Sequence, residues 1–298
     1  MKNNQITLTS PGKLNLFLHI NGKRDDGYHE LQSIFQFFDF GDEMQFTWHN
    51  TQQCKPNSPL VKLDCDIPEL QSSNNLVFQA ANKLAEYSAY KKNLTIELLP
   101  LVTIKLIKHL PTGGGIGGGS SNAATTLLAL NKIWQIGLSI DELADIGLSL
   151  GADVPVFVRG YCAFANGVGE QLLPFNAPEK WYLIAHPNCH ISTATVFGHP
   201  DLPRNTPKIT ANDIAVSTLK NDCEALVKKL YPEVAITLSW LLEYAPAKMT
   251  GTGACCFAEF DDKTSAEKAL INKPDFVNCF VAKGLNKSPV LAALGYTI

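Results

Sequence analysis

Residues 111–124 read Pro111-Thr-Gly-Gly-Gly-Ile-Gly-Gly-Gly-Ser-Ser-Asn-Ala-Ala124 and place six glycines between two apolar runs of different period. Before them, Leu101 to Leu110 alternates apolar and polar residues through Val102, Ile104 and Leu106, a pattern that predicts a strand ended by Pro111. After them, Ala123, Ala124, Leu127, Leu128, Leu130 and Trp134 recur at helical spacing, with Ser120 or Ser121 as N-cap and Gly137 as the stop. A helix start presents unpaired N–H groups and partial positive charge, and glycines let an anion approach the backbone. Strand, glycine loop and helix together predict a polyphosphate cradle over residues 111–121 rather than a linker, since linkers are seldom bounded by apolar elements on both sides.

A Walker A loop needs Gly-Lys followed by Ser or Thr, and here Gly119 runs into Ser120-Ser121 without lysine. Gly113, Gly115 and Gly118 have the dinucleotide-binding spacing, and Asp141 lies near the distance of a ribose-binding acid. Asp141 belongs, however, to Ser139-Ile-Asp-Glu142, a capping box that opens another helix instead of ending a strand, which counts against that reading.

At 298 residues the chain is long enough for two domains, and its 18% charged residues suit a soluble globular protein. Net charge of −3 supplies no global field for nucleic acid or an anionic membrane. The polar start, Met1-Lys-Asn-Asn-Gln, has no signal-peptide core and no apolar run reaches spanning length, so a cytoplasmic protein is expected. The eight cysteines are scattered, with Cys255-Cys256 adjacent in an apolar run, and indicate neither a zinc site nor a disulfide framework.

Three stretches add candidate side chains. In Leu8 to Ile20, Leu14, Leu16, Leu18 and Ile20 mark one strand face and leave Lys13 and Asn15 on the other. Asp26-Gly27 predicts a turn that sets Tyr28 and His29 where they could stack on and bond a planar ligand. Asp153, in Ala152-Asp-Val-Pro-Val-Phe157, falls at an expected helix-to-strand junction. Ser33 to Phe40 and Glu43 to Trp48 look like strands paired around Gly41-Asp42, residues 50–75 like a polar surface excursion, Leu76 to Ala85 like a helix and Leu94 to Leu99 like another strand. From Lys180 onward, shorter strands and helices with a second Gly-rich turn, Met249-Thr-Gly-Thr-Gly-Ala254, predict an α+β unit.

Pro11-Gly-Lys-Leu-Asn-Leu-Phe-Leu18, residues 111–124 and Thr250-Gly-Thr-Gly-Ala254 resemble, in order, motifs one to three of the GHMP small-molecule kinases. Asp26-Gly-Tyr-His29, the doubled Gly-Gly-Gly and Gly151-Ala-Asp-Val-Pro-Val-Phe157 are similar to the branch whose substrate carries a cytidine diphosphate, as are Pro203-Arg-Asn-Thr-Pro207 and Ser239 to Pro246. One departure is Gly12, where the family usually has alanine; the expected effect is some loss of local rigidity.

The resemblance implies a two-domain α/β (α+β) fold, with a ribosomal-protein-S5-like nucleotide-binding domain over 1–164 and a ferredoxin-like substrate domain over 165–285, the tail 286–298 packing back on the first. It implies phosphoryl transfer from ATP, with Mg²⁺, to the 2-hydroxyl of a methylerythritol unit, in isoprenoid-precursor synthesis. Asp153 would accept the hydroxyl proton and Lys13 would polarise the hydroxyl. Pro111, Thr112, Gly113, Gly114, Gly115, Ile116, Gly117, Gly118, Gly119, Ser120 and Ser121 would hold the nucleotide phosphates, a serine hydroxyl facing the metal, with Asn75 and Lys108 at the adenosine. Tyr28 and Phe197 would stack on the cytosine and His29 would read its edge; Asn15, Thr193, Gly251, Thr252 and Gly253 would complete the substrate pocket. The partner is then a small molecule, with neither nucleic acid nor membrane, and the chain a monomer or homodimer. Kinases of this family acting on mevalonate, homoserine or a sugar, and a non-catalytic sensor of the same fold, are the alternatives.

Overall fold

The computed structural model describes residues 4–53, 59–93 and 95–297. Its strands are β1 (Asn4–Lys23), β2 (His29–Gln53), β3 (Val61–Cys65), β4 (Pro100–Ile107), β5 (Ala163–Asn166), β6 (Gln171–Pro174), β7 (Trp181–His186), β8 (Ala247–Met249), β9 (Cys256–Phe260) and β10 (Asn278–Leu285). Its α-helices are α1 (Leu76–Lys92), α2 (Gly118–Ile133), α3 (Ile140–Leu148), α4 (Val154–Arg159), α5 (Thr193–Gly198), α6 (Glu224–Leu230), α7 (Pro232–Leu242), α8 (Lys263–Ala269) and α9 (Pro289–Ala293). Among the described residues no helix is long and apolar enough to cross a membrane.

β2 organises the mixed α/β sheet. β1 runs antiparallel along one edge, and the other edge is shared in succession by β5 at 33–35, β10 at 37–38 and β4 at 43–53. β10 continues the sheet into β7, β9 and β8. The strands expected at 33–40 and 43–48 are therefore halves of one strand and do not pair with each other. Gly41 permits this because the Ser10 carbonyl lies where a Cβ would stand; the glycine marks a close approach of two backbones, not a turn.

Local chemistry accounts for further differences. The segment expected to be a polar excursion contains β3, which buries Val61 and Cys65 and pairs parallel with β4; residues 54–58 of that segment lie outside the described residues. The expected strand 94–99 is a 3₁₀ turn, Ile96–Leu98, with Leu94 outside the described residues. The apolar run after Asp153 is α4, not a strand: proline occupies one of its first two positions, where its missing N–H costs nothing, and five of its six residues are buried. α2 starts from Gly117 in a left-handed conformation, without a serine cap, and ends at Trp134 before Gly137. The capping box of Ser139 and Glu142 opens α3 as the sequence predicts.

The first apolar cluster packs α1, α2, α3 and α4 on β2 and β4 and includes Val290 and Leu291 of α9. Tyr296 donates to the Leu128 carbonyl and fixes the tail against α2. The second joins β7 and β9 to α6, α7 and α8 and takes Leu18 and Ile20 from β1. A third, containing Leu14, Phe38, Ile116, Tyr182 and Phe257, lies between them.

Candidate active site

The β1–β2 ladder shifts register between Pro11 and Lys13 and again after Asn15. Between those irregularities Lys13 turns inward and is only 3% exposed, so it is not a snorkelling surface lysine. Its ammonium donates to Asn15 Oδ1 at 2.6 Å and to the Gly115 carbonyl at 3.2 Å, and lies 3.3 Å from Asp153 Oδ2. Asn15 in turn donates through Nδ2 to Ser33 Oγ at 2.8 Å, which locks its carbonyl oxygen toward Lys13. Asp153 stands just before α4 and makes no capping bond, so its carboxylate, about a third exposed, is free to face the cleft.

The glycine loop follows β4 as expected. Gly115 has φ of +76°, and a Cβ there would lie 2.7 Å from the Thr250 carbonyl oxygen and 2.9 Å from that of Gly253. Only glycine allows loop and second Gly-rich turn to touch backbone to backbone. Cys255 N–H donates to the Gly114 carbonyl at 3.0 Å, and Asn221 ties the turn down by donating to the carbonyls of Met249 and Gly251, each at 2.8 Å. α2 has no side-chain cap to take up the unpaired N–H groups of its first turn, and the residues of that turn border a cavity of about 430 Å³. Pro111 to Gly115, Gly117 to Ser120, Asn75, Lys108 and Asp153 line it.

Some expected ligands have other duties. Ile116 is buried in the third cluster and offers only its carbonyl, which accepts from Lys13 N–H at 3.0 Å. Ser121 bonds Ser10 Oγ at 2.7 Å within the core, which leaves Ser120 as the serine of the pair that borders the cleft. Asn75 caps α1 by accepting from Val77 N–H and donating to the Leu70 carbonyl. The Lys108 ammonium is paired with fully buried Asp42 and donates to Asn122 Oδ1 at 3.2 Å; Asp42 also accepts from the N–H groups of His109 and Leu110, each at 2.9 Å. Asp42 was hidden in the sequence because beside Gly41 it reads as turn chemistry, whereas it anchors the start of the loop.

Gly115, Ser120 and Asp153 also border a second cavity of about 320 Å³ with Lys13, Asn15, Thr193, Phe197, Gly251 and Thr252. The Thr193 and Thr252 hydroxyls are hydrogen-bonded to each other at 3.0 Å in its lining. Gly253 lies behind, against Ile191, Met249 and Val227, and does not line it. Through Leu31, Ala152, Val168, Thr193 and Phe197 this cavity continues into a third, about 510 Å³, bordered by Tyr28 and His29. Tyr28 is 63% exposed; His29 is buried and stacks on Phe197 with ring centroids 5.0 Å apart. Burial first, then the charges of Arg204 and Lys23, holds the His29 imidazole below the usual histidine range. Arg204 is a neighbour that sequence reasoning passed over, although it lies in the Pro203 to Pro207 stretch. Among the described residues no group of three His, Cys, Asp or Glu side chains could hold a metal ion.

One continuous cleft thus runs from the glycine loop, past a Lys13–Asp153 pair, to an aromatic pocket. Residues 75–161 match the family model "GHMP kinases N terminal domain" and residues 202–270 match "GHMP kinases C terminal". The chain belongs to the GHMP kinase family. Within it, the chain is 52% identical over 289 residues to a protein of Marinobacter nauticus named 4-diphosphocytidyl-2-C-methyl-D-erythritol kinase, 96% of each chain being covered. It is 49% identical to a protein of that name from Hahella chejuensis, over 99% of this chain and 98% of the other. A crystal structure of 4-(cytidine 5'-diphospho)-2C-methyl-D-erythritol kinase superposes with a TM-score of 0.75 at 26% identity, covering 94% of this chain and 99% of that one. A mevalonate kinase structure shares the fold, with a TM-score of 0.66 at 17% identity over 95% of this chain and 100% of that one.

Proposed function

We propose that this protein transfers the γ-phosphoryl group of ATP to the 2-hydroxyl of 4-diphosphocytidyl-2-C-methyl-D-erythritol, giving the 2-phosphate and ADP in non-mevalonate isoprenoid synthesis. The observation that carries the reading is the position of Asp153, which borders both the glycine-loop cavity and the cavity leading to Tyr28 and His29. An alcohol is a poor nucleophile near neutral pH, and a carboxylate at that junction accepts its proton as the oxygen–phosphorus bond forms. Lys13, held by Asn15 and Gly115, carries positive charge to the oxygens between which the phosphoryl group passes. The free N–H groups of α2 and the loop bind the nucleotide phosphates.

Mg²⁺ is usually held by phosphate oxygens and water with one or two protein oxygens, so a site here needs no clustered ligand set, and none is found among the described residues. Ser120, which lines both the glycine-loop cavity and the next one, would supply a hydroxyl to it, and an ion held there would offset the charge of the triphosphate. Lys108 and Asn75, engaged as they are, shape the adenosine wall of the cavity. Tyr28 and Phe197 flank the cytosine, with Thr193, Gly251 and Thr252 along the diphosphate. We place the domain division at 164/165; the first apolar cluster crosses it by taking Ala165, and the second takes Leu18 and Ile20 from the other side. The same reading makes the protein a cytoplasmic monomer or homodimer.

ADP release with ATP and Mg²⁺ tests the proposal against four acceptors: the cytidine compound, its uridine analogue, mevalonate and homoserine. Turnover of the cytidine compound supports it. Turnover of mevalonate or homoserine alone would overturn the substrate and keep the kinase chemistry.

A further inference from the structure

His29 lines the aromatic pocket together with Lys23, Tyr28 and Thr193, and its chemistry is set from behind. Arg204 Nε donates to His29 Nε2 at 3.0 Å. The same guanidinium donates through Nη2 to the carbonyls of Phe197, at 2.9 Å, and His199, at 2.8 Å, and through Nη1 to that of Leu202, at 3.0 Å. A guanidinium has five N–H donors and no acceptor, so the bond to His29 runs one way only. His29 Nε2 must be the unprotonated nitrogen, and the proton of the neutral ring is forced onto Nδ1. Burial and the nearby charges of Arg204 and Lys23 disfavour a second proton.

This matters because an imidazole can present either a donor or an acceptor. The Watson–Crick edge of cytosine has an acceptor at N3, whereas uracil carries N3–H. A ring fixed with Nδ1–H matches cytosine at that position and opposes uracil; a ring with bare Nδ1 does the reverse. A free neutral histidine favours the proton on Nε2, the tautomer suited to uracil.

We propose that Arg204 is the positioning residue that selects cytosine over uracil, by fixing His29 as its Nδ1–H tautomer facing the base N3. The proposal rests on the cytidine reading above. Arg204 also fastens the end of α5, which carries Thr193 and Phe197, so one side chain sets both the wall and the polarity of the pocket. Its loss therefore weakens binding of either base, but only the tautomer changes the preference between them.

The test joins a spectrum to a ratio. ¹⁵N resonances of the imidazole in ligand-free wild-type protein, with His29 assigned through its loss in His29→Phe, report which nitrogen bears the proton. The ratio of kcat/KM for the cytidine compound over its uridine analogue is then measured in wild type, Arg204→Met and Arg204→Lys. The expected results are Nδ1–H in wild type, Nε2–H in Arg204→Met with a roughly 10- to 100-fold fall in the ratio, and partial recovery in Arg204→Lys, whose ammonium can still donate. Nε2–H in a wild-type enzyme that phosphorylates the cytidine compound would overturn the role of Arg204 alone, and so would a folded Arg204→Met enzyme with an unchanged ratio. If wild type turns over neither nucleotide compound, the cytidine reading falls and the specificity role falls with it. Because the wild-type spectrum needs no variant of Arg204, a failure of Arg204→Met to fold still leaves a decisive result.

Discussion

Replacing Asp153 by asparagine keeps the shape of the side chain and removes its charge and its ability to take a proton. Its partner, the Lys13 ammonium, is 3.3 Å away and almost wholly buried, while Asp153 is about a third exposed. At an effective dielectric constant of about 20 the attraction at that distance is about 5 kcal/mol. Solvent screening at the carboxylate, which is about a third exposed, and the bonds that the buried ammonium keeps to Asn15 and Gly115 limit the net loss to about 1 kcal/mol. Lys13 keeps its bonds to Asn15 and Gly115, so the glycine loop should not move and Tm should fall by only about 2–4 °C. Proton acceptance is lost outright, and kcat should drop by roughly 10²- to 10⁴-fold with KM for ATP nearly unchanged. Steady-state ADP release and a thermal melt measure the two effects side by side. Retention of kcat within about 10-fold, or a drop matched by a collapse of Tm, would refute the assignment of Asp153 as the proton acceptor.

Four further outcomes are expected. Gly115→Ala combines a left-handed φ with a Cβ pressed on the carbonyls of Thr250 and Gly253; it should cost about 2–3 kcal/mol in urea unfolding and raise KM for ATP. Gly12→Ala, the change toward the family's usual residue, drives a Cβ into the buried Phe38 ring, so it should destabilise by about 1–3 kcal/mol rather than add rigidity, and pairing it with Phe38→Leu should recover part of the loss. Lys108→Met leaves the Asp42 carboxylate buried without its counter-charge and should lower stability by about 3 kcal/mol, read from the urea midpoint. His19, His29 and His186 are all held below their ordinary value, chiefly by burial. The unfolded chain takes up protons near pH of about 6.5, before the folded protein does, so stability should fall as pH drops through that range, by at most about 1.4 kcal/mol per unit for each histidine; urea midpoints that rise on acidification would contradict this.

The motifs were readable because each is local: a glycine run between two apolar periods, a capping box at Ser139, an Asp26-Gly27 turn. What escaped depends on partners distant in sequence. β2 looked like a hairpin because Gly41 and Asp42 have turn chemistry, yet the glycine answers to Ser10 and the aspartate to Lys108. α4 looked like a strand because a short helix buried on nearly every side shows no period. Of the candidate site, Lys13, Asn15, Ser120 and Asp153 come together as expected, whereas Ile116 and Ser121 turn into the core and Gly253 packs behind the pocket. Arg204 and Asn221 could not be singled out, since a lone arginine between prolines and an asparagine ahead of a helix have many commoner uses.

β2 and β10 are bonded at Phe38–Gly284 and Phe37–Leu285, and beside that seam the Tyr182 hydroxyl donates to Gln36 Oε1 at 2.6 Å inside the protein. The walls of the cleft are therefore parts of one rigid frame, and swinging them apart like jaws would tear a ladder and strand a buried hydroxyl. Traffic through the cleft has to use the pieces that hang on the frame without strand pairing, α5 with the prolines after it and the turn that bears Asp153. If turnover is gated, the gates should be these small pieces, and amide exchange should quicken at residues 150–153 and 192–207 long before it does along β2.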